Sequence, residues 1–314
     1  MDIIFMGTPE FAVASLDTLV NSEHNVKAVV SVPDKAAGRG KKIKYSAVKN
    51  YAMAHNIPIL QPEKLKDSSF LNQLRAYQAD LFVVVAFRML PKEVWQMPAM
   101  GTINIHASLL PQYRGAAPIN HAIINGETKT GLTTFMIDEK IDTGRIILQK
   151  EISILPEDNV GSLHDKLMEL SKDIVLDTCS LIENGEAELI PQPDISTLNI
   201  LPAPKIFKKD CHISTSLTVE KAQRLVRGLS PYPAAFVELV SPEGNTINLK
   251  IYQTKVSNDN QGECQIFTDG KSFLALGFTD GRLLVEELQL QNKKRMKTVD
   301  FLRGFKIDSS WRWQ

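Results

Sequence analysis

Residues 101–119 read GTINIHASLLPQYRGAAPI, and residues 131–144 read GLTTFMIDEKIDTG. The first stretch predicts a buried strand over 103–107, and the period of two in a strand places Asn104 and His106 on the same face. Burying a carboxamide or an imidazole without a partner costs about 1–3 kcal/mol. We therefore expect this pair either to hydrogen-bond inside the core or to face a cleft. An open α/β sheet binds its ligands at the carboxyl ends of its strands, which favours the cleft.

A third polar side chain, Asp142, follows in the sequence I-D-T-G, where Gly144 indicates a turn that can hold the carboxylate toward the same cleft. A carboxamide, an imidazole and a carboxylate can together donate to a developing oxyanion, move a proton and orient the imidazole. Each residue type is also common in a structural role: a satisfied His in an apolar strand, an Asn near a strand end, an Asp in a turn. The spacing alone leaves the catalytic and the structural interpretations open.

The two stretches together closely resemble the signature of the 10-formyltetrahydrofolate-dependent formyltransferases. The resemblance implies that Asn104, His106 and Asp142 are the catalytic residues. It implies 10-formyltetrahydrofolate as co-substrate and no metal, because the folate already carries an activated formyl group. It also implies a folate site that includes the S-L-L-P stretch, namely Ser108, Leu109, Leu110 and Pro111.

The composition indicates an ordinary globular protein of two domains. The chain has 314 residues, of which 43% are hydrophobic and 23% are charged. Lys plus Arg and Asp plus Glu number 36 each, so a nucleic-acid partner would have to bind a local basic patch. The three cysteines have no metal-ligand spacing and fit a reducing compartment. The start of the sequence lacks a basic n-region, so we expect no signal peptide. We also find no apolar run long enough to span a membrane, and we expect a cytoplasmic protein that is a monomer.

The first part of the chain, up to about residue 185, alternates strand-like and helical patterns. The apolar run 2–6 ends at Gly7, and Pro9 suits the first turn of a helix. The run 81–86, LFVVVA, is apolar on both faces, as a central parallel strand is. G-T-P at 7–9 is not a dinucleotide fingerprint, and it is either a structural turn or a backbone lining of the cleft. The alternation predicts an α/β fold with a Rossmann-like, parallel-rich doubly wound sheet.

Residues 33–49, PDKAAGRGKKIKYSAVK, carry six cations and a single acid. Such a run is typical of a solvated loop, and beside a cleft it is also suited to grip a phosphate backbone. The resemblance favours the second interpretation, because it implies that this stretch holds the acceptor end of a tRNA through Arg39, Lys41 and Lys42. It further implies initiator methionyl-tRNA as the formyl acceptor.

One position departs from the family pattern. Arg88 follows the predicted central strand, where the family usually has a Tyr-Gly or similar pair. The departure adds a large cation near the expected folate pocket.

The composition changes at Pro191, where a proline-rich stretch without periodicity begins. We predict a catalytic domain over 1–189, a linker over 190–207 and a tRNA-contacting domain over 208–314. Five short alternating runs separated by turn signals predict a small OB-like barrel for the last of these. Trp311 and Trp313 are interpreted as packing against this barrel, in preference to contacting RNA.

Three functions are compatible with the sequence. The first is formyl transfer to the α-amino group of initiator methionyl-tRNA. The second is the same chemistry with a sugar nucleotide, a glycinamide ribonucleotide or water as acceptor, which the basic stretch 33–49 disfavours. The third is a non-enzymatic RNA-binding protein, in which Asn104, His106 and Asp142 would have no purpose. A steep fall of activity with salt would distinguish a tRNA acceptor from a small one.

Overall fold

The computed structural model describes residues 1–37, 42–193, 200–257, 262 and 264–314. By its internal packing the chain divides into two compact units, each made of three chain segments. The first unit contains Met1–Gly115, Lys129–Ser153 and His164–Pro202. The second unit contains Ala116–Thr128, Ile154–Leu163 and Ala203–Gln314. The boundaries predicted from the sequence, 1–189, 190–207 and 208–314, stay predictions.

Among the described residues, the first unit contains a seven-stranded sheet and a short hairpin. The strands are β1 (Asp2–Gly7), β2 (Asn25–Val30), β3 (Lys35–Ala37), β4 (Lys42–Lys44), β5 (Ile59–Leu60), β6 (Leu81–Val85), β7 (Thr102–His106), β8 (Lys129–Met136) and β9 (Ile146–Ser153). The helices of this unit are α1 (Glu10–Val20), α2 (Ala47–Ala54), α3 (Ser68–Ala76), α4 (Lys92–Trp95) and, from His164 onward, the long helix α6 (Val160–Glu183). The helix α5 (Pro118–Asn125) belongs to the second unit.

The sheet has the strand order β5-β2-β1-β6-β7-β8-β9. The first five strands of this order pair in parallel, and β8 pairs antiparallel with both of its neighbours, β7 and β9. The chain builds outward from β1 on one side and then continues on the other side with β6, so the order reverses between β1 and β6. This reversal is the place where an open α/β sheet leaves a crevice at its carboxyl edge.

The core of the first unit follows from the apolar character of its central strands. Every residue of β6 is buried, and the residues 3–6 of β1 are completely buried. Asp67 begins α3 by accepting hydrogen bonds from the backbone N–H groups of Ser69 and Phe70. Phe70 then packs with the strand residues Ile4 and Val84. The prediction of a parallel-rich, doubly wound α/β sheet is confirmed.

The basic stretch differs from the loop that its charge predicts. Its ends form β3 and β4, which pair antiparallel with Lys35 opposite Lys44. The pairing satisfies the hydrogen-bonding groups of the backbone. The sequence did not predict it, because the stretch has no alternating apolar face. Arg39 and Lys41 lie outside the described residues.

The second unit contains a small antiparallel barrel. Its strands are β10 (Ala235–Val240), β11 (Thr246–Ser257), β12 (Ile266–Thr268), β13 (Leu274–Phe278), β14 (Gly281–Leu290), β15 (Met296–Lys297) and β16 (Arg312–Trp313), and its helices after α6 are α7 (Val219–Leu229) and α8 (Thr298–Gly304). The order is β12-β13-β14-β11-β10-β16, with β15 paired to β14. A bridge between Gln265 and Arg312 brings the two outer strands together, so the barrel is nearly closed.

The interior of the barrel is built from both sheet and helix residues. Trp313 is 1% exposed, and its ring centroid lies 4.9 Å from that of Phe278. Trp311 is partly buried against the same core. The predictions of a small barrel and of tryptophans that pack on it are therefore confirmed.

No helix in the described part of the chain combines the length and the apolar character that a membrane span requires.

Candidate active site

The central feature of the site is the carboxyl end of β7. The strand places Asn104 and His106 on one face, while Ile103 and Ile105 are buried on the other. His106 is 6% exposed and stands opposite Thr133 of β8. The period-two prediction for this pair is thus confirmed by the geometry of the strand.

The His106 ring is oriented by a backbone carbonyl. Its Nε2 lies 2.9 Å from the carbonyl oxygen of Tyr113. Because a carbonyl oxygen only accepts, Nε2 must carry the proton and donate it. The other nitrogen, Nδ1, therefore faces the Asp142 carboxylate, with 3.8 Å between Nδ1 and Oδ2. That distance is too long for a hydrogen bond and leaves Nδ1 able to gain or donate a proton toward a bound group.

Asp142 is fixed by a hydrogen bond to its carboxylate and has an unusual backbone conformation. Its Oδ2 accepts a hydrogen bond of 2.9 Å from the N–H of Gly115, in the loop that follows β7. Its own backbone has φ +55°, a left-handed conformation that non-glycine residues seldom adopt. Such backbone persists only where surrounding contacts hold it, and it is concentrated at functional sites.

Gly144 serves a different purpose from the one the turn signal indicates. It has no positive φ, but a Cβ at this position would lie 1.6 Å from the carbonyl oxygen of Met136. The backbone after Asp142 therefore approaches β8 more closely than any side chain permits. The N–H of Met136 donates to the carbonyl of Arg145 at 2.9 Å, which fixes this approach.

We expect Gly144→Ala to lower the free energy of unfolding by about 1–3 kcal/mol, because the added methyl must push two backbones apart. Transfer activity should fall with it, since the same approach sets the position of Asp142. Gly304→Ala is the matched control, because nothing lies within 4 Å of its added Cβ. Denaturant unfolding and single-turnover rates of both variants test this. Equal stability of the two variants would contradict the close-approach argument.

The Asn104 carboxamide is half-buried, and within the described ranges it has no hydrogen-bond partner. A carboxamide that lies beside a buried His, and whose own N–H groups have no partner, is suited to donate to a bound oxygen. The structure thus brings together the three residues that the resemblance implies are catalytic: Asn104, His106 and Asp142.

The predicted folate stretch is a rigid loop braced from β8 and β9. Thr133 Oγ1 donates to the carbonyl of Ser108 at 2.6 Å and accepts from the N–H of Leu110 at 3.0 Å. Gln149 Nε2 donates to the carbonyl of Leu110 at 2.9 Å and to Thr133 Oγ1 at 2.8 Å. Sequence reasoning did not find Gln149, because a polar residue on a half-buried strand gives no signal of what it braces.

The four predicted folate residues differ in exposure. Ser108 is fully buried, and its hydroxyl donates to the carbonyl of Gln112 at 2.6 Å. Leu110 is 3% exposed, whereas Leu109 and Pro111 are partly exposed. Ser108 and Leu110 thus shape the loop, whereas Leu109 and Pro111 have side chains that solvent can reach. The folate-binding role of the stretch stays a prediction.

Arg88 is tied to main-chain oxygens. Its guanidinium donates to the carbonyl of Pro62 at 2.8 Å and to that of Glu63 at 3.1 Å. Burial lowers the pKa of this side chain from its ordinary value. The cation that departs from the family pattern is therefore partly desolvated and held against the residues that follow β5.

The predicted tRNA contacts are described only in part. The backbone of Lys42 begins β4, and the two other predicted contacts, Arg39 and Lys41, lie outside the described residues. Lys49 forms an ion pair of 2.6 Å with Asp34, the single acid of the stretch. That pairing neutralises the acid and leaves the net charge of the remaining stretch positive.

Within the described ranges, no group of three or more His, Cys, Asp or Glu side chains is arranged to hold a metal ion.

Comparison with known proteins places this geometry in a family. The profile described as formyl transferase matches residues 1–179, and that described as formyl transferase, C-terminal domain, matches residues 205–306. The methionyl-tRNA formyltransferase of Bacteroides fragilis is 51% identical over 315 residues, covering 99% of this chain and 97% of the relative. That of Flavobacterium johnsoniae is 51% identical, covering 96% of this chain and 95% of the relative.

Solved structures share the fold at low sequence identity. WlaRD, a sugar 3N-formyl transferase, has a TM-score of 0.65 at 21% identity and covers 94% of this chain and 99% of its own. HypX from Aquifex aeolicus in complex with tetrahydrofolic acid has a TM-score of 0.64 at 17% identity, covering 98% of this chain and 48% of its own. The chain therefore belongs to the formyl transferase family and, by its full-length relatives, to the methionyl-tRNA formyltransferases within it.

Proposed function

We propose that this chain transfers the formyl group of 10-formyltetrahydrofolate to the free α-amino group of initiator methionyl-tRNA. The observation that carries the proposal is the convergence of Asn104, His106 and Asp142 at the carboxyl end of β7. The full-length similarity to methionyl-tRNA formyltransferases supports the choice of acceptor.

The folate supplies a formyl group that is already activated by its bond to N10. The neutral α-amine attacks the formyl carbon, and the carbonyl oxygen becomes an oxyanion. Collapse of this tetrahedral species breaks the bond to N10, while one proton leaves the attacking nitrogen and one is delivered to N10. The products are N-formylmethionyl-tRNA and tetrahydrofolate, so atoms and charge balance.

The residues of the site divide this work. The Asn104 N–H donates to the oxyanion, because its amide has no other partner in the described structure. His106 contributes through Nδ1, because Nε2 is already bonded to the Tyr113 carbonyl. A donor at Nδ1 requires the protonated imidazole, and the nearby Asp142 carboxylate is placed to stabilise that cation and to relay a proton through water to N10.

Binding of the two substrates is assigned to separate parts of the first unit. The loop Ser108–Pro111 forms part of the folate site, with Leu109 and Pro111 as its partly exposed members. Arg39, Lys41 and Lys42 grip the tRNA acceptor end. The barrel domain over 208–314 makes further contacts with the tRNA, and residues 190–207 link it to the catalytic domain over 1–189. The enzyme acts in the cytoplasm as a monomer.

Single-turnover transfer of a labelled formyl group tests the function. Enzyme and labelled 10-formyltetrahydrofolate are mixed with charged initiator Met-tRNA, uncharged tRNA or a glycinamide ribonucleotide. Label on Met-tRNA alone is the expected result. Label on the small acceptor, or formate released with every acceptor, would keep the catalytic assignment and overturn the acceptor.

Arg39→Ala should weaken the use of Met-tRNA with little effect on transfer to a small amine. If Arg39 contacts a phosphate, the slope of log kcat/KM against the logarithm of salt concentration should fall by about 1. Lys172→Ala is the control, because Lys172 is a partly exposed cation on α6 paired with Glu169. Equal loss with both acceptors would instead place Arg39 in the chemistry.

A further inference from the structure

The segment that follows α6 returns to the active site. Ile146 and Ile190 exchange backbone hydrogen bonds of 2.8 and 2.9 Å, which attaches the segment beside β9. Farther along, the N–H of Tyr113 donates to the carbonyl of Leu201 at 2.8 Å, and the N–H of Leu201 donates to Gln112 Oε1 at 2.9 Å. Both described ends of this segment thus bond to the site.

Gln192 lies between these attachments, and its carboxamide bonds to two different loops of the site. Its Nε2 donates to the carbonyl of Asp142 at 3.0 Å and to that of Gly144 at 2.8 Å. Its Oε1 accepts from Arg114 through Nε at 3.1 Å and through a terminal nitrogen at 2.5 Å. Both donor hydrogens and the acceptor oxygen are used, so one side chain joins the Asp142 turn to the loop after β7.

The two loops joined by Gln192 are the ones that orient His106. The loop after β7 supplies the Tyr113 carbonyl that binds Nε2, and Gly115, whose N–H binds the Asp142 carboxylate. The Asp142 turn supplies the carboxylate that faces Nδ1. A change in the spacing of these loops would therefore alter both sides of the imidazole.

The backbone conformation of Asp142 gives a second reason for its hydrogen bond with Gln192. A left-handed φ of +55° at a non-glycine residue needs neighbours that hold it. The Gly115 N–H holds the side chain, and the Gln192 amide holds the carbonyl of the same residue. The carboxylate and the backbone that carries it are thus fixed from opposite ends.

Arg114 keeps Gln192 in place in turn. Burial lowers the pKa of Arg114, and the carboxylates of Asp142 and Asp138 act in the opposite direction. A desolvated guanidinium requires acceptors, and it forms a two-pronged bond with the Gln192 oxygen. The carboxamide therefore has only one orientation that satisfies both of its ends.

We propose that Gln192 is a positioning residue for formyl transfer, which acts by holding Asp142 against His106. The inference rests on the proposed function, because it assigns Gln192 to the reaction that Asp142 serves. It gives the proline-rich segment a catalytic purpose in addition to its role as a connection.

The test compares Gln192→Leu in two backgrounds by the kcat and KM of formyl transfer, measured with Met-tRNA varied in excess over enzyme. In the otherwise natural chain, kcat should fall about 10- to 100-fold, because misplacement of a catalytic group by about an ångström has effects of that size. KM for Met-tRNA should change less than about twofold, since the hydrogen bonds of the Gln192 side chain among the described residues go to Arg114, Asp142 and Gly144, and none goes to loop 108–111 or the basic stretch. In an Asp142→Ala background, the same change should lower the rate less than about twofold, because residues that act as a unit are not additive.

Gln73→Leu is the matched control, because Gln73 lies on α3 and, among the described residues, its side chain bonds only to its helix neighbour Ser69. It should leave kcat unchanged. Equal fold-losses for Gln192→Leu in both backgrounds, or no loss in the natural one, would overturn the inference. If Gln192→Leu does not fold, Gln192→Glu decides by the same criterion, since it keeps the acceptor for Arg114 and removes the donor to the Asp142 turn. Failure of the natural chain to formylate Met-tRNA would overturn the proposed function instead, and is seen before any variant is made.

Discussion

Asn104→Ala is expected to lower kcat for formyl transfer about 10²- to 10³-fold, the loss that follows when one donor to an oxyanion is removed. The effect should fall on kcat because the donor bonds the oxygen only once it carries developing charge. KM for Met-tRNA should stay within about twofold, since Asn104 lies at the carboxyl end of β7 and not in the basic stretch. Rapid-quench transfer at saturating and limiting tRNA separates the two constants. A rise in KM at unchanged kcat would show that Asn104 binds substrate and does not stabilise the oxyanion.

Asn104→Asp is a useful companion to this variant. It preserves the size of the side chain and replaces its N–H donor by an acceptor that carries negative charge. The oxyanion would then be repelled, and we expect kcat to be at least as low as for the alanine variant. Recovery of the rate in Asn104→Asp would contradict a donor role.

His106→Ala is expected to lower kcat about 10²- to 10⁴-fold, the range for loss of a residue that moves or holds a proton in the transition state. The prediction also decides between the two interpretations that the sequence left open. A structural His that is 6% exposed and bonded to a backbone carbonyl would, when removed, cost stability and leave the rate of folded enzyme unchanged. A catalytic His would cost the rate even where the protein is fully folded.

Ile105→Val provides the control for this comparison, because Ile105 directly precedes His106 in the same strand and is buried on the opposite face. It should cost about 0.5–1.5 kcal/mol of stability and leave kcat within about twofold. Unfolding by denaturant and single-turnover rates, measured on both variants, give the four numbers needed. A His106→Ala enzyme with normal kcat would remove His106 from the mechanism.

The period of two in residues 103–107 sufficed to place Asn104 and His106 together, because strand geometry leaves no other arrangement. The apolar run of β6 similarly identified the central parallel strand. The turn signal at I-D-T-G singled out Asp142, but its catalytic role came from the resemblance, since a turn signal does not state what a carboxylate will do. The tryptophans were assigned to packing because large aromatic side chains stabilise most when buried.

The sequence did not predict the contacts in which backbone groups orient the side chains of the site. Nothing in the letters at positions 113 and 115 indicates that the carbonyl of Tyr113 binds His106 or that the N–H of Gly115 binds Asp142. Gly144 was associated with a turn, whereas the left-handed residue is Asp142 and Gly144 is required by the approach of Met136. Gln192 was assigned only to a connecting segment. Its role at the site could not be read from the local sequence, because its four hydrogen bonds reach residues about 50 or more positions away.

The position of α5 bears on how this protein can be dissected. The helix follows the catalytic loop in sequence, yet it packs in the second unit, where Asn120 Nδ2 donates to the carbonyl of Gly228 at 2.7 Å. A Cβ on Gly228 would lie 2.5 Å from the Ile124 side chain and 3.1 Å from the carbonyl oxygen of Asn120, so α5 packs on α7 where α7 has no side chain. A fragment cut at residue 208 would carry α7 with this face bare to water. A peptide of residues 116–128, which belongs to the same unit, should bind such a fragment and cover the exposed face of α7.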